Sequence, residues 1–159
     1  MSKNLSYLME EDEKGLKLIE NGEYDKAIRF FEPKAARGEY LACYGLATAR
    51  FKKQRVLMTR EEIEEIIQLY NQSISRKPDF ADAHLMIGMA YESLAATLTR
   101  DINRTNQKPK LNETKKALEK AKEFIDEAVR INPSFGKVAQ AGRAACEKKI
   151  SEINRLLDE

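Results

Sequence analysis

The residues of this chain that could do chemistry are one histidine, two cysteines and several adjacent glutamates. His84 falls at helical spacing with Ile87 and Tyr91, so it reads as a packed side chain rather than an acid–base group or metal ligand. Glu61/Glu62 and Glu64/Glu65 share a segment whose other face is Ile63, Ile66, Ile67, Tyr70 and Ile74, which makes them a solvated helix face. Cys43 and Cys146 are about a hundred residues apart with no CxxC pair, so neither a zinc site nor a disulfide framework is indicated. Cys146 instead continues an apolar stripe with Ala139, Gly142, Ile150, Ile153 and Leu157. GxSxG, HExxH and a glycine-rich phosphate loop are all missing. The expectation is a non-catalytic chain with no metal and no cofactor.

The composition points to helices. Glycines number 7 and prolines 4, while 34% of residues are charged, and the net charge is only +2. At 159 residues the chain is long enough for one domain, 1–159, with a real core. The N-terminal MSKNLSYLMEEDEK has no hydrophobic signal core, and no apolar run reaches membrane-spanning length, so a reducing, cytoplasmic setting is expected. No two-residue alternation bounded by turns occurs, hence no strands.

Punctuation divides the chain into seven helices, near 4–20, 24–36, 39–52, 60–76, 79–102, 113–131 and 134–157. Asn21-Gly22 breaks the first and Pro33 ends or kinks the second. Thr59-Arg60-Glu61-Glu62 is a capping box for the fourth, and Pro78 and Pro133 separate later helices. Short connections imply antiparallel hairpins.

The hairpins repeat. GLKLIENGEYDKAIRFF (15–31), with Gly15, Gly22, Tyr24, Ala27 and Phe31, resembles the tetratricopeptide repeat. The pattern returns with Gly88 and Tyr91, with Tyr70, Ser73 and Pro78, and with Ala121, Ile125, Ala128 and Pro133. The resemblance covers roughly 8–133. It implies an all-α, right-handed superhelical array of three hairpins (about 8–38, 38–80 and 81–134) with a capping helix over about 134–157. In such an array Gly15, Gly45 and Gly88 mark close helix crossings. They are 30 and 43 residues apart where the family's repeat has 34. The first repeat is therefore short, and the second and third carry insertions near 51–60 and 96–115, at turns that lie along one edge.

The resemblance also implies a concave, partner-binding surface. It maps to Met9, Asp12, Leu16 and Ile19, then Glu39, Ala42, Leu46 and Ala49, then Asp82, Leu85, Met89 and Glu92. Its apolar, methionine-containing middle suits another protein's extended or helical peptide with basic flanks. The clamp with which related co-chaperones hold C-terminal carboxylates is missing, because Asp12, Leu16, Asp82 and Met86 stand at its places. The chain's own last helix, or a second copy, is the alternative occupant.

A second candidate is a basic edge made by the insertions: Arg50, Lys52, Lys53 and Arg55 from one, Arg104, Lys108 and Lys110 from the other. It suits an acidic protein, a membrane surface or phosphates. Phe51 is the aromatic available there for stacking on bases, so nucleic acid is the weaker partner. A third reading makes the insertions helix extensions, with Leu94, Ala95, Leu98 and Ile102 in one stripe and Val56, Leu57 and Met58 packing against it. Such a protruding hairpin offers an apolar surface for a homodimer.

Overall fold

The computed structural model describes residues 2–54 and 57–159, with side chains from residue 10 onward. These residues form seven α-helices and no strand: α1 (Ser2–Glu20), α2 (Tyr24–Ala36), α3 (Tyr40–Lys53), α4 (Arg60–Arg76), α5 (Ala81–Arg100), α6 (Gln107–Ile131) and α7 (Gly136–Asp158). A 3-10 turn, Pro133–Phe135, leads into α7. Each helix packs on the next, and α1 and α5 also touch α3. None of the described helices is long and apolar enough to cross a membrane.

The helix ends follow local chemistry. Thr59 Oγ1 accepts from Glu62 N at 3.2 Å while Glu62 Oε2 accepts from Thr59 N at 2.8 Å, the reciprocal cap expected of that sequence. Gly22, at φ +76, turns the chain after α1, and Glu23 N reaches back to Leu18 O at 2.8 Å. Pro33 does not stop α2, which runs on to Ala36. Pro33 and Arg29, whose carbonyl loses its helical partner to the missing N–H, are both exposed, while Phe31 and Ala35 are buried. The stop comes at Gly38, φ +75, whose N–H bonds Ala35 O at 2.8 Å.

Two apolar clusters form the core. Ile19, Ala27, Phe31, Ala35, Ala42, Cys43, Leu46 and Ala49 unite α1, α2 and α3. The larger cluster runs from Ala47 and Met58 through Ile63, Ile66, Tyr70, Ile87 and Leu118 to Cys146 and Ile153 of α7. Leu69 packs against both. Tyr70 is fully buried, and its hydroxyl lies 2.9 Å from Thr48 Oγ1, which spares both groups an unpaired burial.

The three glycines do sit at crossings. A Cβ on Gly15 would stand 2.3 Å from Phe31 Cζ, and one on Gly45 would stand 2.4 Å from Phe31 Cε2. One on Gly88 would stand 2.7 Å from Ile125 Cγ1 and 3.1 Å from Ala121 O of α6. Gly45, however, meets α2 behind it rather than α4 ahead. In α3 it is Ala47, two residues on, that joins Ile63, Ile66 and Tyr70 in the larger core.

The stretch near 96–115 is mostly helix. α5 continues to Arg100 and α6 begins at Gln107, so only 101–106 is loop and the two helices project together as a long hairpin. The shorter connection after α3 packs on that hairpin. Met58 is buried, and its carbonyl accepts from Thr97 Oγ1 at 3.4 Å and Arg100 Nη2 at 3.3 Å. Leu57 is 77% exposed. Arg55 and Val56 lie outside the described residues.

Candidate functional site

Helices α1, α3 and α5 converge on a cleft of about 310 Å³. Leu16, Ile19 and Glu20 come from α1, and Leu41, Tyr44, Thr48 and Lys52 from α3. Phe80, at the N-cap of α5, and Asp82, in its first turn, close the third side. Residues 41, 44 and 48 lie on one face of α3 because they are spaced by three and four. Phe80 is held by aromatic contacts to Tyr40 (centroids 5.6 Å, edge-on) and Tyr44 (4.8 Å). Burial, and then the nearby Asp82 charge, push the Tyr44 hydroxyl up to about 12, against the opposing pull of Thr48. The lining is mostly apolar, and Glu20, Asp82 and Lys52 are its charged groups.

Leu16, Ile19 and Asp82 of the sequence-derived groove line this cleft. Ala42, Leu46 and Ala49 do not. They are at most 4% exposed, packed in the α1–α2–α3 core. The cause is the register of α3: Gly45 turns toward Phe31 of α2, which carries its neighbours inward and leaves Leu41, Tyr44 and Thr48 on the cleft. A sequence alignment anchored on the glycine misses those three, and the signal that could have found them was Ala47 as the small residue. Glu39 is the N-cap of α3 and pairs with Arg37 at 3.0 Å instead of lining the cleft. Asp12 is buried against Lys34 of α2, 3.0 Å away. The side chain of Met9 lies outside the described set.

Leu85, Met89 and Glu92 continue along α5, and Met89 is exposed. Glu92 is reached by α7. Cys146 Sγ donates to Glu92 Oε1 at 3.6 Å, and a Cβ on Gly142 would stand 3.1 Å from the same oxygen. The last helix therefore covers the Glu92 end of α5 and leaves the α1–α3–α5 cleft open. Burial raises the Glu92 carboxyl above the ordinary glutamate value, against the opposing pull of the Cys146 thiol and Lys149. Burial and then the Glu92 charge push the Cys146 thiol up to about 12, which makes it a poor nucleophile. A raised carboxyl favours the protonated folded state, so stability is full below the unfolded value and falls as pH rises through the folded one. Glu92→Gln is accordingly expected to match the wild type in thermal midpoint near pH 4 and exceed it at pH 7. A variant equally sensitive to pH would remove Glu92 as the source.

His84 is buried beside Phe124 (centroids 6.0 Å), and its Nε2–H donates to Pro78 O at 2.8 Å. Its Nδ1 is buried without a hydrogen-bond partner. This is a packing role at the α4–α5 turn. Among the described residues, no three His, Cys, Asp or Glu side chains group closely enough to hold a metal ion.

The segment ahead of α4 meets the α5–α6 hairpin through the ion pair of Arg60 with Glu113 (2.6 Å) and the contacts of Met58. Much of the edge's charge is locally matched. Arg50 pairs with Glu32 at 3.4 Å, Lys53 with Asp25 at 2.5 Å, and Lys110 with Glu113 at 3.4 Å. Lys52 turns to the cleft. Arg104, in the 101–106 loop, and Lys108, in the first turn of α6, are exposed.

A second cleft, of about 640 Å³, opens between the projecting hairpin and α7. Ala95, Ala96, Thr99, Ile102, Leu111, Thr114, Leu118, Ile153 and Leu156 line it, with Gln107, Lys149 and Glu152 at its mouth. The Thr99 and Thr114 hydroxyls bond the carbonyls of Ala95 and Lys110, both at 2.8 Å, so the walls are aliphatic in character. No protein-family model matches the chain, and no curated protein matches it in sequence.

Proposed function

We propose that this chain is a tetratricopeptide-like scaffold that holds a segment of another protein in the α1–α3–α5 cleft. Three helices from successive hairpins meeting around one apolar hollow is the observation that carries the reading. The glycine crossings and the repeated helix-on-helix order support the repeat architecture. Two carboxylates, Glu20 and Asp82, against one cation, Lys52, favour a guest with a basic residue flanking its apolar anchors. The matched charges along the edge of the insertions make an anionic partner there the weaker reading.

The test is selection from a random peptide library followed by affinity measurement on the winners. Enriched peptides should pair an aliphatic or aromatic anchor with lysine or arginine. Leu16→Asp, at a half-buried wall position, should then weaken binding at least about tenfold with unchanged helicity. Leu46→Asp is unsuitable, since it places a charge in the core. Peptides that bind the Leu16→Asp chain as well as the wild type would remove the cleft as the site.

A further inference from the structure

The cleft beside α7 is larger and more aliphatic than the one just assigned, and it stands apart from it. Its outer lip is α7 itself, where Leu156 is 42% exposed although it belongs to the cleft wall. Two opposite charges, Lys149 and Glu152, stand at the mouth one helical turn apart, both exposed. The ion pairs that α7 makes with α6 are at Arg143 and Glu147. Among the described residues neither Lys149 nor Glu152 has an oppositely charged side chain within 4.0 Å.

A lip bearing both signs is complementary to itself. A two-fold axis near the middle of this stretch brings two copies of α7 together antiparallel, and an isologous contact uses the same patch twice. The register that sets Lys149 of each copy opposite Glu152 of the other also sets Leu156 opposite Ala145, an exposed small residue on the same side of α7. A large side chain then meets a small one twice, and two ion pairs flank the axis. In that arrangement the second helix would lie over the cleft wall at Ala96 and Ile102, adding cleft surface to the helix contact.

We propose that the α5–α6–α7 cleft is a self-association site, closed by α7 of a second copy lying antiparallel across it. The surface is separate from the α1–α3–α5 cleft, so dimerisation stands or falls independently of peptide binding.

Sedimentation velocity on the full chain over a wide concentration range tests this. The wild type should form a dimer whose population rises with concentration. Leu156→Asp should raise the dissociation constant at least about tenfold, with the circular dichroism of the monomer unchanged. Lys149→Glu and Glu152→Lys should each weaken the dimer by like-charge opposition, and the two together in one chain should restore it. A wild type monomeric up to about 1 mM overturns the proposal. So does a dimer indifferent to Leu156→Asp, or one that both single reversals disrupt and the double reversal fails to rescue.

Discussion

Gly45→Ala is expected to destabilise the chain by about 1–3 kcal/mol, the reverse of the usual effect of that substitution in a helix. In an ordinary helix interior, alanine is better than glycine by about 1 kcal/mol. Here the new Cβ would stand 2.4, 2.5 and 2.7 Å from three atoms of the Phe31 ring. The ring has nowhere to go. Its far tip already fills the space a side chain at Gly15 would need, and Phe30 meets it edge-on at 5.1 Å. Gly136 provides the contrast, because a Cβ there meets nothing within 4 Å and its φ of −51 suits any residue. Gly136→Ala should stabilise by roughly 0.5–1 kcal/mol. Removing the wedge itself, Phe31→Ala, should cost about 3–5 kcal/mol, since the side chain is fully buried between α1 and α3. Urea midpoints for the three variants check the argument. If Gly45→Ala and Gly136→Ala shift alike, the ring is not trapped.

Deleting α7 is expected to cost on the order of 5 kcal/mol or more, a large share of the ~5–15 kcal/mol that holds a domain folded. Cys146 and Ile153 belong to the same core as Leu118 and Ala121, and Ile150 and Leu157 pack on its margin. The helix also anchors α6 through Lys122–Glu147 (3.1 Å), with Lys122 half-buried, and the exposed pair Arg143–Asp126 (3.2 Å), contacts that orient more than they stabilise. A chain ending at Phe135 should lose its cooperative thermal transition, while still holding the residues of the α1–α3–α5 cleft. A truncated chain that melts as sharply and as late as the full one would show α7 to be an appendage. α7 takes the Glu92 end of α5 and leaves the Leu16–Tyr44–Phe80 hollow open.

Local chemistry was written in the sequence in full at several points. Thr59 and Glu62 announced their reciprocal cap, Asn21-Gly22 the break after α1, and the Ile63–Tyr70 spacing its buried face, because each depends on residues within one or two turns of one another. Gly15, Gly45 and Gly88 likewise declared that something must come close. Which neighbour comes close was decided only in three dimensions. Gly45 faces Phe31 rather than α4, and that choice rotates α3 so that Tyr44 and Thr48, not Ala42 and Leu46, reach the cleft. Pro33 shows the same division: its missing N–H argued for a stop, but burial of Phe31 and Ala35 beside it carries the helix on. The 96–115 stretch had helical spacing as well as loop-like charge, and packing of Leu98, Leu111 and Leu118 into the core settled it as a hairpin. A helix's periodicity names a face, but the partner for that face comes from packing among residues far apart in the chain, where one large ring can outweigh the spacing of a repeat.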